Sequence, residues 1–464
     1  MTIKPIYAGR HRKATMRDLK INMPVKVSKI INMLNSAGFE AYAVGGCVRD
    51  SVLGREPNDW DITTSAMPEE VKAIFRRTVD TGIKHGTVTV LLGDEGFEVT
   101  TFRVDGEYTD HRHPEEVSFT RELEEDLLRR DFTINAMAYS DSTGLVDLYG
   151  GINDLEDKLI KAVGAPDARF DEDALRIMRA VRFAAQLGFD IEGRTKEAII
   201  RHTEFLRDVS AERIEAELTK LITSAHPELL IEAYRLGITG VILPEFDRMM
   251  ETPQNTPFHM YDVGRHTIRV MQGVEPSRMM RYAAFFHDIA KPECRTTDEN
   301  GRDHFKKHAI IGADRSKEIM KRLKMDNDTI KTVSRLVYWH DYGIDGNVTK
   351  RSLRRMMSKF GAENFPDYLA IRRADMDGQS SYMLEEKEEN YRYIESLYRE
   401  IISDNDCLTI KDLAVNGQDI MNLGVPAGPK VGEVLNSLLE KVMDDPELNE
   451  KDILTGLVKE YINE

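Results

Sequence analysis

Val44-Gly45-Gly46-Cys47-Val48-Arg49-Asp50, followed closely by Asp59-Trp60-Asp61-Ile62, is the stretch on which the reading of this chain turns. The run Ala41 to Val44 has strand character, and the glycines after it break into a short helix, where free backbone N–H groups are placed to receive phosphate oxygens. Two glycines alone more often mark an ordinary turn. The Asp59/Asp61 pair says more. On a strand, alternate side chains share a face, so both carboxylates would look into one cleft. Hard Mg2+ takes oxygen ligands, and in two-metal sites the ions clamp the attacking and leaving oxygens of an in-line displacement. Asp59 and Asp61 are therefore the expected Mg2+ ligands.

A third acid is expected from a neighbouring strand, and Glu98 in Phe97-Glu98-Val99-Thr100-Thr101-Phe102-Arg103 sits where alternation is clear. A solvated edge-strand glutamate would look the same. The polar, Pro-containing run from Asp105 to Thr120 reads as a flexible loop. It leads into Arg129-Arg130-Asp131-Phe132-Thr133-Ile134-Asn135-Ala136, where Arg130 offers triphosphate a planar fork of donors.

Further on, Asp173, Arg176, Arg179 and Arg182 recur three apart in Glu172-Asp173-Ala174-Leu175-Arg176-Ile177-Met178-Arg179-Ala180-Val181-Arg182, which predicts one stripe on a helix. A salt-bridged solvated face has the same spacing. Base chemistry favours a functional reading. Cytosine and adenine each present an amino donor beside a ring-nitrogen acceptor, which an Asp acceptor next to an Arg donor complements. Guanine and uracil present the reverse, leaving polar groups unmatched at about 1 to 3 kcal/mol each.

Together, from Val44 to Phe189, these stretches resemble the class II tRNA nucleotidyltransferases of the polymerase-β-like superfamily: GGxVRD, the DxD pair, TGIKHGTVTV, EVTTFRVDGEY, RRDFTINAMAY and EDALRIMRAVRFAAQLGF. The resemblance implies template-independent addition of CCA to tRNA from CTP and ATP. It implies metal binding by Asp59 and Asp61 with Glu98 as third acid, and nucleotide contacts from Gly46, Arg49, Arg130, Asp173, Arg176, Arg179 and Arg182, Asp173 and Arg176 reading the base. The loop sequence DGEYTDHRHPEEVSF argues against a CC-only relative. The A-adding half of a split CC/A system, or a poly(A) polymerase, is the alternative.

His266 in VGRHT, His287-Asp288 in FFHDIAK and Asp375 in RADMDG resemble in spacing the HD metal-dependent phosphohydrolase domain. A mixed imidazole and carboxylate set suits a first-row divalent metal such as Mn2+, Ni2+ or Co2+. His308 and His340 are candidates for further ligands or phosphate binding. The competing reading is a helical domain that keeps the pattern without turnover.

Ala/Leu/Arg/Glu-rich segments succeed one another after about Asp154, so the fold class expected is multidomain: an α/β nucleotidyltransferase head (1–150), a helical neck (151–250), an HD-like helical body (251–380) and a helical, tRNA-binding tail (381–464). In the tail, Gly-rich turns at Gly417 and at Gly424 to Pro429 precede helix-like runs and suit phosphate contacts or plain capping. The net charge of -16 seems to oppose a nucleic-acid partner, but Asp375 onward carries 8 Lys+Arg against 21 Asp+Glu, which leaves only -3 for everything before it. Three scattered cysteines suggest neither zinc nor a disulfide framework, and the chain shows no apolar span, so a cytosolic protein with no membrane partner is expected.

Overall fold

The computed structural model describes residues 20–105, 117–344 and 346–463, which form two compact units, one ending at Pro244 and the other beginning at Glu245. In the first, helix α1 (Val25–Ser36) buries Val27, Ile30, Ile31 and Leu34, the spacing of one helical face. Strands β1 (Ala41–Val44), β2 (Ile62–Thr64), β3 (Thr78–Gly82), β4 (Thr87–Leu92), β5 (Glu95–Thr101), β6 (Arg103–Asp105), β7 (Val117–Phe119), β8 (Met137–Ser140) and β9 (Gly144–Asp147) follow in chain order. Seven of them make one mixed sheet in the order β3-β4-β5-β2-β1-β8-β9, in which only the β2–β5 pair is parallel. Tyr42, Val44, Phe102, Leu127, Ala136 and Ala138 pack as a core beneath it. Each large apolar side chain so buried contributes about 1.5–3 kcal/mol.

Two expectations need correction. The DxD pair is not on a strand: β2 begins at Ile62, and Asp59 and Asp61 lie on its lead-in. Pro57 and Asn58 just upstream are poor strand residues. The ladder nonetheless reaches Asp61, whose carbonyl accepts the Val44 N–H at 3.0 Å. The loop expected over Asp105 to Thr120 is bracketed by paired strands, β6 on β7 with Asp105 opposite Val117, while residues 106–116 lie outside the described residues.

Short helices connect the strands: α2 (Gly46–Val52), α3 (Pro68–Ile74), α4 (Leu123–Leu128) and α5 (Gly151–Glu156). Gly45 enters α2 at φ +81, a conformation side chains resist. Beyond the sheet come α6 (Pro166–Glu172) and α7 (Leu175–Leu187). Helix α7 is rich in Leu, Ala, Met and Arg, good helix formers, and ends on Gly188 at φ +71, where the Gly188 and Phe189 N–H groups both donate to the Ala184 carbonyl.

The second unit is helical apart from the two-residue strands Thr296–Thr297 and Asp303–His304 among its described residues. Helices Val263–Gly273, Arg278–Phe286, His308–Arg322, Asn327–Trp339 and Phe365–Gly378 pack as a bundle. Three start on side-chain caps: Asp262 accepts the Arg265 N–H, Ser277 that of Met280, and Asp326 that of Thr329. Toward the C-terminus, helix Pro429–Asp444 closes a separate core with Val434, Leu438, Val442, Leu454, Val458 and Cys407. No helix of the described residues is long and apolar enough to cross a membrane.

Candidate active site

Asp61 and Glu98 face one another across the parallel β2–β5 pair, because the register Ile62 to Val99 carried back one residue sets them side by side. Along β5, Val99 and Thr101 turn inward while Glu98 is exposed, so both acids lie on the solvent face. Although Asp61 is exposed, partial desolvation by the protein around its carboxyl raises it above its ordinary value, Arg130 opposes the rise, and Asp59 adds to it. Arg130 is held from behind by Asp126 at 3.3 Å, an acid fully buried at the end of α4 that also accepts from Arg129 and from the Thr63 hydroxyl on β2. Burial opposes ionisation of Asp126, yet Arg130 and Arg129 bring its carboxyl net below the usual range. A Cβ on Gly45 would stand 3.1 Å from Arg130 Nη1, so the guanidinium lies against the glycine turn. Arg130 thus lies against Gly45 and acts on the charge of Asp61 where central strand β1 ends and β2 begins.

Arg49 is nearly buried and spent on partners: Nη1 donates to Asn135 Oδ1 at 2.7 Å, and Nε and Nη2 both bond Asp50. Its guanidinium also lies 5.1 Å from the Phe183 ring, over which Arg179 (5.4 Å) and Arg182 (3.5 Å) are placed as well. Asp131 joins the head motif to α7. Its carboxylate accepts from the Phe132 N–H, from Asn135 Nδ2 and from Arg179 Nε at 2.8 Å, and Arg179 Nη2 makes an ion-pair contact at 2.6 Å. Burial opposes its charge, but Arg179 and Asn135 hold it far below the usual carboxylate range.

The stripe predicted from Asp173 to Arg182 is only partly a stripe. Asp173 stands in extended conformation between α6 and α7, its Oδ1 accepting the Leu175 N–H and its Oδ2 bonded to Arg213 at 2.8 Å. Asp favours such capping positions over helix interiors because its short side chain reaches nearby backbone donors. The Arg176 side chain is on α7, but it pairs with Glu172 and donates to the Arg129 and Arg169 carbonyls, so Asp173 and Arg176 meet only through the backbone, Arg176 N–H donating to the Asp173 carbonyl at 3.0 Å. Arg182 pairs with buried Glu217 at 2.8 Å.

Sequence reasoning passed over Asp126, Asp131, Phe183 and Glu217. The signal for Asp126 was its place four residues before Arg130, an ion-pair spacing on a helix. Glu217 lies on helix Ala211–Ile222, far along the chain, and no local pattern points to it.

In the second unit the expected histidines and aspartates converge at the bundle's centre. His266, His287 and Asp375 bring their ligand atoms within 4.8 Å of one another, and so do Asp288, His308 and His340. His266 Nε2 is 2.9 Å from Asp375 Oδ1 and His287 Nε2 is 3.1 Å from Asp288 Oδ2. Among the described residues these are the two sets of three candidate ligands so close together, and Asp59, Asp61 and Glu98 do not form a third.

Residues 41–161 match the family model for the poly A polymerase head domain, 188–250 the probable RNA and SrmB-binding site of polymerase A, and 308–458 the putative domain 2 of tRNA nucleotidyltransferase. A CCA-adding enzyme of Levilactobacillus brevis is 35% identical over 432 residues, covering 92% of this chain and 96% of that protein. The chain belongs to the CCA-adding enzyme family. A second family member, from Streptococcus suis, is 34% identical over 440 residues, covering 93% of this chain and 95% of its own. Among solved structures, the Bacillus stearothermophilus CCA-adding enzyme in complex with CTP superposes with a TM-score of 0.68 at 29% identity, over 94% of this chain and 96% of that one. CCA-adding enzymes depend on divalent metal ions, and the exposed carboxylates of Asp59, Asp61 and Glu98 are hard oxygen donors of the kind such ions take.

Proposed function

We propose that nucleotidyl transfer in this chain runs on Asp59 and Asp61, with Glu98 as third acid and Mg2+ as the metal. In the same reading Gly46, Arg49, Arg130, Asp173, Arg176, Arg179 and Arg182 bind the incoming nucleotide. The reaction is that of the family, template-independent addition or repair of the 3'-terminal CCA of tRNA from CTP and ATP. The observation carrying the residue assignment is the meeting of Asp61 with Arg130 against the Gly45 turn, an acid and a triphosphate-binding cation at one backbone opening.

Asp59 and Asp61, with Glu98, would hold the divalent ions, which would supply Lewis acidity to the transfer. The tRNA 3'-hydroxyl loses its proton to solvent as its oxygen bonds the α-phosphorus of CTP or ATP, the α–β phosphoanhydride bond breaks, and pyrophosphate departs. Asp59 and Asp61 orient the reacting oxygens through their carboxylates. Arg130, fixed by Asp126, neutralises developing charge on the triphosphate. Asp173 and Arg176 read the pairing edge of C or A. To do so Asp173 turns from Arg213 and Arg176 from Glu172, an exchange of partners that keeps both groups bonded until a base arrives. The test is incorporation of labelled CTP and ATP, separately and together, into tRNA ending at the discriminator base, at C and at CC. Sequential C, C and A is expected. A alone on the CC-ending tRNA would make the chain half of a split system, and long A tails would make it a poly(A) polymerase.

A second reading rests on the buried histidine–aspartate cluster: His266, His287, Asp288 and Asp375 hold a first-row divalent metal and hydrolyse phosphate esters, such as 2',3'-cyclic or damaged RNA ends. No hydrolysis of bis-p-nitrophenyl phosphate or 2',3'-cAMP with Mn2+, Ni2+ or Co2+ would end it. In this reading residues 1–150 are the head, 151–250 the neck, 251–380 the HD-type body and 381–464 a tRNA-binding tail.

A further inference from the structure

Resting on the assignment of the transfer to Asp59, Asp61 and Glu98, we infer that Thr89, with Thr81 behind it, is a specificity-determining residue that bonds the 2'-hydroxyl of the terminal ribose of the tRNA. The first ground is a row of side chains on the solvent face of the sheet. Strand β2 lies beside β5, β5 beside β4 and β4 beside β3. The register that sets Asp61 beside Glu98 continues into the next pair, where Glu98 stands directly opposite Thr89. Val88 and Val90 are buried on either side, so Thr89 shares the outward face with Glu98. The Thr89 hydroxyl is in turn 2.8 Å from that of Thr81 on β3. Outward from the acids the row therefore reads Asp61, Glu98, Thr89, Thr81.

The second ground is the direction from which the nucleophile arrives. Arg130 and the Gly45 turn stand on the β1 side of Asp61, and Glu98 stands on its β5 side. In an in-line displacement the attacking oxygen enters opposite the departing pyrophosphate. With the triphosphate held at Arg130, the 3'-oxygen of the tRNA comes in over Glu98. Opposed residues of an antiparallel pair have Cβ atoms about 4.5–5.5 Å apart, so the next polar group, Thr89, is within reach of the neighbouring carbon of the same ribose. That carbon carries the 2'-hydroxyl.

The third ground is what the two threonines keep free. A second polar row on the same face is closed on itself: the Thr63 hydroxyl is 3.2 Å from buried Asp126, and the Thr87 and Thr100 hydroxyls bond each other at 3.0 Å. Among the described residues the Thr81 and Thr89 hydroxyls bond only each other, which uses one of their two hydrogens and leaves lone pairs open. Thr89 is half-buried and Thr81 exposed, so these groups face solvent. A ribose 2'-hydroxyl donates and accepts, and deoxyribose does neither. Gly96 sets the Thr89 side chain in place. A Cβ on Gly96 would stand 2.9 Å from Thr89 Cγ2, so the methyl lies over the glycine and the hydroxyl turns to Thr81.

The test measures addition of labelled CTP by the full chain to two tRNAs that end at C, one with ribose and one with 2'-deoxyribose at the last nucleotide. The parent should prefer the ribose end by about tenfold in kcat/KM, the size of one hydrogen bond. Thr89→Val keeps the shape of the side chain and suits a strand, so the fold is retained, as circular dichroism should confirm. In this variant addition to the ribose end should fall about tenfold while addition to the deoxyribose end stays within about twofold of the parent. Thr89→Ser restores the hydroxyl and should restore the preference. A parent that uses both ends equally, or a Thr89→Val variant that slows on both ends by the same factor or on neither, would overturn the inference. The Asp59→Ala, Asp61→Ala double variant is assayed beside them. If it is inactive and Thr89→Val keeps the ribose preference, the Thr89 assignment alone falls; if it still adds C, the reading on which that assignment rests falls.

Discussion

Replacing Asp131 by Asn tests whether the head motif positions α7, the helix proposed to bind the nucleotide. Asp131 is buried and accepts three hydrogen bonds, one of them from Arg179 Nε on α7, whose Nη2 adds an ion-pair contact at 2.6 Å. Asn keeps one acceptor for the Phe132 N–H but turns an N–H2 group toward Asn135 or Arg179, donor against donor. One charge-assisted bond is lost, about 1.5–3 kcal/mol when fully desolvated, and the ion pair goes with it. The Arg179 side chain is 35% exposed, so water recovers part of this, and a net cost of about 2 kcal/mol is expected. For a unit of this size that lowers Tm by about 4–8 °C. The chain has two tryptophans, Trp60 and Trp339, one in each unit, so urea unfolding followed by fluorescence in a Trp339→Phe background reports the first unit alone. The sign with pH follows from the depressed Asp131 carboxyl: its contribution is present above the usual carboxylate value and is lost as pH falls below it, so Asp131→Asn flattens the acid limb of the stability profile. With α7 loosened, KM for CTP and for ATP should rise together, because Arg179 does not distinguish the bases in this scheme. A midpoint within about 0.5 kcal/mol of the parent, or a change in KM for one nucleotide only, would refute the reasoning.

Asp326 caps the helix that leads to His340 through Thr329, and with Arg278 also beside it the carboxyl is lowered to about 2. Asp326→Ala should cost about 1 kcal/mol at neutral pH, read from Trp339 in a Trp60→Phe background, and the difference from the parent should shrink as pH falls from about 4 to 2. Gly151→Ala would drive a Cβ into the Thr133 carbonyl oxygen at the start of α5, so a loss of about 1–3 kcal/mol in the first unit is expected from the same Trp60 titration.

Much of the head was legible because its signals are local. Ala41 to Val44, Thr87 to Leu92 and the β-branched run through Val99 have strand character in any window, and Val25 to Ser36 carries its helical period openly. Strand β3, with the exposed sequence Thr78 to Gly82, did not announce itself, because only its pairing with β4 makes it a strand. Spacing three apart placed Asp173 on the helix with Arg176, since periodicity does not show where a helix starts. Its capping bond to Leu175 does. Long-range partners were beyond reach for the same reason. Glu217 under Arg182 and Asp131 under Arg179 are fixed by how helices meet, a relation that no short stretch encodes. The histidine–aspartate cluster lay between these cases: spacing pointed to His266, His287, Asp288 and Asp375, while only the fold made His308 and His340 a second set.

The most direct measurement is single-turnover incorporation from labelled CTP into tRNA ending at the discriminator base, comparing the parent with Asp59→Ala and Asp61→Ala, each checked by circular dichroism and urea unfolding. Both variants should keep the parent's fold and lose at least about a hundredfold in rate, since the groups that hold the reacting oxygens in line are gone. A folded Asp59→Ala, Asp61→Ala double variant that still adds C within about tenfold of the parent would contradict the assignment of the reaction to this pair.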